Sequence, residues 1–89
     1  MIEKEVLIVN RAGMHTRPAS QVVKLASKFK SEISLERDGF VINAKSIIGV
    51  MTLAAEQGAK LKLIIKGDDE NQAMEELCKL FESGFGEDI

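Results

Sequence analysis

Apolar and polar residues alternate along the chain in the way that marks strands with one buried face. Ile2, Lys4, Val6 and Ile8 alternate with Glu3, Glu5 and Leu7, and Val6-Leu7-Ile8-Val9 reads as a buried strand end. Ile33 and Leu35 alternate with Glu32, Ser34 and Glu36, and a third strand is predicted in Phe40-Val41-Ile42-Asn43. Leu61, Leu63 and Ile65 alternate with Lys60, Lys62 and Ile64 in a fourth. Between the second and third, Asp38-Gly39 predicts a two-residue hairpin turn, because both central positions of a type I′ turn want positive φ.

Elsewhere the period changes to that of a helix. Ala19, Val22, Val23, Ala26 and Phe29 predict a helix from about Thr16 to Lys28 or Phe29, with Ser20, Gln21, Lys24, Ser27 and Lys28 on its other face. Ser46, a good N-cap, opens a short helical segment through about Leu53 to Ala55. Gly49 weakens that segment by ~1 kcal/mol relative to Ala, and Gly58 fits its C-terminal stop. A last helix from about Glu70 to Glu82 buries Ala73, Leu77, Leu80 and Phe81, with Met74 and Cys78 flanking. Asp69 with Gln72 three residues later predicts a capping box at its start. Ser83 to Ile89 is expected to be a loosely held tail.

The order is βαββαβα. Four alternating strands ask for one antiparallel sheet with a solvated face, and three helical stripes ask for cover on the other. The expected fold class is α/β (α+β), a two-layer open-faced β-sandwich. The pattern alone leaves the strand order open.

Composition narrows the picture. Eighty-nine residues predict one domain over 1–89 with one modest core. Four Phe and no Trp or Tyr leave most of the filling to aliphatic side chains. A net charge of −2 argues against general affinity for nucleic acid. No run approaches the roughly 18 consecutive apolar residues of a membrane span, and the charged N-terminus is not a signal peptide. The single Cys78 cannot form an internal disulfide and reads as a small core residue in a reducing compartment. It has no second Cys at metal-ligand spacing, and His15 has no neighbouring carboxylate or Cys in the sequence. Neither metal nor cofactor is expected. Together these features predict a soluble cytoplasmic protein.

The candidate chemistry lies in Asn10-Arg11-Ala12-Gly13-Met14-His15-Thr16-Arg17-Pro18-Ala19, which holds the only histidine and the only proline. This is a strand-to-helix turn with His15 at the first helical position or just before it. Pro18 suits the first turn, where a backbone N–H has no intrahelical acceptor. The Thr16 and Arg17 amides then face outward at the positive end of the helix, a ready anion site. Histidine is a weak capping acceptor, so those donors stay open to a ligand. A nucleophilic imidazole, free amides and the Arg17 guanidinium together suggest a phosphoryl group carried on the ring. Taken singly, His15 and Arg17 read as a surface residue and a solvated charge; their combination carries the signal.

The short helix is informative too. Ile47, Ile48 and Met51 share one face, while Val50, Leu53 and Ala54 form another. Either the helix is fully buried, or one set is exposed as a partner surface. Met14 is open between a core plug and an exposed contact. Lys45, Arg11, Lys24 and Lys28 are individually solvated charges that collectively could ring the His15 side and steer an acidic partner.

The signature N-x-x-G-M-H-T-R-P-A resembles the active-site motif of the HPr family, the histidine-containing phosphocarriers of the bacterial phosphoenolpyruvate:sugar phosphotransferase system. Lys45-Ser46-Ile47-Ile48-Gly49-Val50-Met51 is similar to that family's regulatory segment, and Phe85-Gly86-Glu87 extends the likeness to the C-terminal region. Two ordered motifs in a chain of matching size make a specific signal. The resemblance implies strand order 1-4-2-3 and a stoichiometric carrier rather than an enzyme. It implies that Nδ1 of His15 accepts a phosphoryl group from enzyme I and passes it to sugar-specific IIA proteins, with Arg17 and Thr16 binding its oxygens. It further implies regulatory phosphorylation of Ser46, which an HPr kinase/phosphorylase would carry out. Docking would use Ile47, Ile48 and Met51, lying beside His15, together with Met14 and Ser20. A monomer is expected. Two competing functions remain: a regulatory binding protein acting through Ser46 without a dominant transport role, and a small acyl-phosphate hydrolase using Arg17 in a phosphate loop.

Overall fold

The computed structural model describes all residues, 1–89. Its elements follow the predicted order: β1 (Ile2–Leu7), α1 (Thr16–Ala26), β2 (Glu32–Arg37), β3 (Phe40–Asn43), α2 (Ile47–Thr52), β4 (Lys60–Lys66) and α3 (Glu70–Glu82). A single 3-10 turn, Gly84–Gly86, follows. The strands form one antiparallel sheet in the order β1-β4-β2-β3. Register places Val6 opposite Leu61, and Leu63 and Ile65 opposite Leu35 and Ile33. These side chains form the inner face of the sheet. Ala19, Val22 and Ala26 of α1, Val50 of α2, and Ala73, Leu77 and Phe81 of α3 close over it as one core. Each fully buried Leu or Ile in this layer stabilises the fold by about 1.5–3 kcal/mol relative to exposure. The opposite alternation, Glu3, Glu5, Lys60 and Lys62, faces water. Asp38 and Gly39 both take positive φ, 50° and 84°, as the hairpin requires.

The structure corrects four local expectations. First, α1 stops at Ala26, and the next residues tighten into i to i+3 bonds, Lys28 N–H to Leu25 O and Phe29 N–H to Ala26 O. This shorter turn redirects the chain into β2. Second, α2 ends at Thr52 with Leu53 as its C-cap, at the near edge of the expected Leu53 to Ala55, and Gly58 is not its stop. Ala54 takes a left-handed φ of 47°, and the Arg37 guanidinium donates to the Leu53 and Ala54 carbonyls at 3.1 Å each. One guanidinium nitrogen, Nη1, thus takes up both carbonyls at the helix end, where glycine was expected to stop it.

Third, the capping box does not form. The Asp69 side chain makes no cap bond to α3; it accepts the Lys30 and Ser31 amides at 2.9 and 3.0 Å and the Ser31 hydroxyl. Two amides and a hydroxyl outcompete one helical amide for the same oxygens. Fourth, residues 83–89 are not a loose tail. Phe85 is buried, with its ring edge-on to Phe81 at a centroid separation of 5.2 Å. Gln21 Nε2 donates to Phe85 O, and the Arg11 amide donates to Asp88 O at 2.7 Å. The last residues therefore lie across the turn between β1 and α1.

Candidate functional site

The turn from β1 to α1 is held by its glycine. Gly13 has a φ of 74°, and a β-carbon there would lie 2.7 Å from the Ala55 carbonyl oxygen. That close approach lets the Met14 amide donate to the same oxygen at 2.8 Å. Met14 turns its side chain inward and is 5% exposed. Of its two open roles the structure gives it the core one, so Met14 drops out of the exposed partner-binding set.

His15 is the N-cap of α1, extended at φ −87° and ψ −170°, and its side chain makes no capping bond. The Thr16 and Arg17 amides have no acceptor in the turn. Thr16, Arg17 and Ser20 are exposed on the same end of the helix. Arg11, Ala12, His15, Arg17, Gly86, Glu87 and Asp88 line an open cleft of about 470 Å³. An imidazole at a helix N-terminus between two guanidinium groups can accept a phosphoryl group and bind its oxygens.

One wall of this cleft comes from a carboxylate the sequence neighbourhood did not offer. Glu87 sets both carboxylate oxygens 2.9 Å from His15 Nε2. Asn10, fully buried, donates Nδ2 to Gly13 O at 2.8 Å and to Glu87 Oε1 at 3.0 Å. Its Oδ1 has no protein partner, so the amide is held by its donors. The His15 hydrogen bond is the main reason the Glu87 carboxyl sits below its ordinary range. The Asn10 amide and the charge of Arg17 add to this against a smaller opposing effect of desolvation. His15 Nδ1 has no hydrogen-bond partner in the chain. Phe81 and Phe85, four residues apart across a break in the helix, were, with the Phe85-Gly86-Glu87 likeness, the available sign that this segment docks.

The remaining candidates divide between the two ends of α1. Lys45 Nζ donates to Phe29 O at 2.7 Å, whereas Ala55 O meets Met14 at the His15 end. The segment from Lys45 to Ala55 therefore runs back along α1, whose eleven residues span about 16 Å. Lys45, Lys24 and Lys28 belong to the far end, so of the expected ring of positive charge around His15 only Arg11 lines the cleft, beside Arg17. On α2, Ile47, Ile48 and Met51 are 36%, 74% and 40% exposed, while Val50 and Leu53 are buried. The helix is thus not fully buried, and Ala54, placed with the inner set, is exposed. Ser46 Oγ accepts the Gly49 amide at 3.1 Å, as an N-cap should.

An open-faced sandwich with an exposed histidine at an uncapped helix N-terminus defines a class of small α+β domain. The family model described as the PTS HPr component phosphorylation site matches residues 2–83. The chain is 47% identical over 88 residues to a phosphocarrier protein HPr of Treponema pallidum, covering 99% of this chain and 100% of that one. It is 45% identical over 82 residues to the HPr-like protein Crh of Halalkalibacterium halodurans, covering 92% and 98%. A crystal structure of HPr from Thermoanaerobacter tengcongensis superposes with a TM-score of 0.95 at 47% identity over the whole of both chains. A second, of an HPr dimer from that organism, gives 0.79 at 48% identity over 98% and 100%. The chain belongs to the HPr family of the phosphotransferase system.

Proposed function

We propose that this chain carries a phosphoryl group on Nδ1 of His15, taken from phosphorylated enzyme I and delivered to sugar-specific IIA proteins. The observation that carries the reading is an exposed imidazole with an unengaged Nδ1, set at an uncapped helix N-terminus between Arg11 and Arg17. The lone pair on Nδ1 attacks phosphorus as the donor's bond to phosphorus breaks. Arg17 and the Thr16 and Arg17 amides then bind the oxygens that carry the charge. The cleft is shallow and open, which suits a shuttle that must release its cargo to several acceptors. A monomer is the proposed working unit, set against the HPr dimer among the similar structures; sedimentation at micromolar concentration checks this. No helix is long and apolar enough to cross a membrane, and a cytoplasmic location goes with this reading.

Incubation with enzyme I and labelled phosphoenolpyruvate tests the proposal. One acid-labile, base-stable phosphate per chain is expected, absent from His15→Ala. Label retained in that variant would overturn the assignment. Catalytic turnover of an acyl phosphate would favour the hydrolase instead.

A second reading rests on Ser46. It caps the helix bearing the exposed Ile47, Ile48 and Met51, so a kinase acting there would alter the docking surface itself. The likeness to Crh supports this regulatory role beside the carrier role.

A further inference from the structure

We infer that Glu87 is a positioning residue for His15, holding the proton on Nε2 so that Nδ1 is kept as the nucleophile. The inference rests on the carrier reading for its consequence, but its physical basis is independent of any partner. An ionised carboxylate can only accept, so the nitrogen lying 2.9 Å from both of its oxygens must be the one bearing hydrogen. Which imidazole nitrogen carries the proton is set by the bond the other position makes. Here the acceptor is itself fixed. Asn10 donates to Glu87 Oε1 from a fully buried site, and Phe85 anchors the segment two residues upstream. The charged groups facing the pair are Arg11 and Arg17, which favour the ionised carboxylate, and Asp88, which opposes it.

The same contact has a second effect during transfer. As Nδ1 forms its bond to phosphorus, the donor's bond to phosphorus breaks and its electron pair stays with the donor. Nε2 keeps its proton, so the neutral ring becomes a cation and no proton leaves the site. That cation develops directly against the Glu87 carboxylate. Glu87 therefore favours the phosphorylated ring through its charge, in addition to selecting the tautomer through its acceptor oxygens.

Two substitutions separate these effects. Glu87→Gln keeps an acceptor and removes the charge; Glu87→Ala removes both. Nitrogen-15 spectra of the His15 ring, recorded on unphosphorylated protein with a neutral imidazole, read the tautomer directly. The two ring-nitrogen shifts should lie far apart in the wild-type protein, in the pattern of protonated Nε2. In Glu87→Ala they should move toward one another as the Nδ1–H form enters, and in Glu87→Gln they should change much less. Phosphorylation by enzyme I should slow on the order of tenfold in Glu87→Ala, with a measurable slowing in Glu87→Gln. Ring shifts in Glu87→Ala identical to wild type overturn the proposal, whatever the rate. Label appearing elsewhere than His15 sinks the carrier reading alone, because the tautomer measurement needs no enzyme.

Discussion

Arg17 brings to the cleft a planar fork of donors that matches phosphate oxygens two at a time, which an ammonium cannot do. The residue is exposed and is not part of the core. Arg17→Ala should therefore slow phosphotransfer strongly and leave the melting temperature nearly unchanged, with Arg17→Lys between. Equal transfer rates in all three proteins would remove Arg17 from the mechanism. His15, Arg17 and their helix terminus were legible in the sequence because every relation among them spans a few residues. Glu87 was visible only as part of the C-terminal likeness, and its bond to His15 was not, because that bond closes a loop of 72 residues that no periodicity reports. Asn10 was visible only as a letter in the motif. Its work, steadying Gly13 O and Glu87 together, exists only once both are in place.

For α2 the consequences are those of a helix only six residues long. It cannot support itself; it is held at one end by the Ser46 cap and at the other by Arg37. Ser46→Asp keeps a capping oxygen and adds charge beside the first amides of the helix, where the dipole favours it. Melting should be unchanged while transfer from enzyme I slows markedly, and normal transfer would leave Ser46 only its cap. Ser46→Ala should cost ~1 kcal/mol in denaturant unfolding. Because Ser46 lies toward the far end of α1 from His15, added charge would act on the docking face rather than on the cleft. The misread stop of α2 has a similar cause to the missed Glu87 bond. Arg37 lies 16 and 17 residues from the carbonyls it captures, so a local reading turned to the nearest glycine.

Asp69 makes the start of α3 a seam rather than a simple cap. Its carboxyl lies below the ordinary range, chiefly through the Ser31 hydroxyl bond and then the Lys30 amide, against a smaller cost of desolvation. A depressed folded-state value means that Asp69 stabilises the fold above the unfolded pKa of about 3.9. That contribution fades as pH falls below this value through the folded one. Urea midpoints taken from pH 6 down to pH 2 should fall in this acid range for the wild-type protein. Asp69→Asn should start lower and decline less steeply, and parallel curves would show that the seam does not depend on ionisation.

Across the domain surface, the apolar side of α2 and the His15 end of α1 offer a partner two separate features, one greasy and one cationic. Titration with enzyme I or an IIA protein should move NMR signals of residues 15–20 and of Ile47, Ile48 and Met51. Signals confined to α3 would mean that docking uses another face. The sheet itself followed from alternation, since each strand's period is a local property. Its order could not follow in the same way, because pairing is chosen between strands far apart in the chain.

That order also has a meaning in time. β4 is the last strand made and yet lies between β1 and β2, its partners on both sides. Only the β2–β3 hairpin can pair with a neighbour in sequence; β1 waits for a strand that begins more than fifty residues later. Closing such a loop costs chain entropy before any contact repays it, which slows folding relative to a helical bundle of the same length. The chain should therefore collapse around α1 and the hairpin and become cooperative only when β4 inserts. On the proposed carrier reading, because β1 carries the turn that leads to His15, the nucleophile should take its place only with that long-range pairing, and a partly folded chain has a histidine but no site.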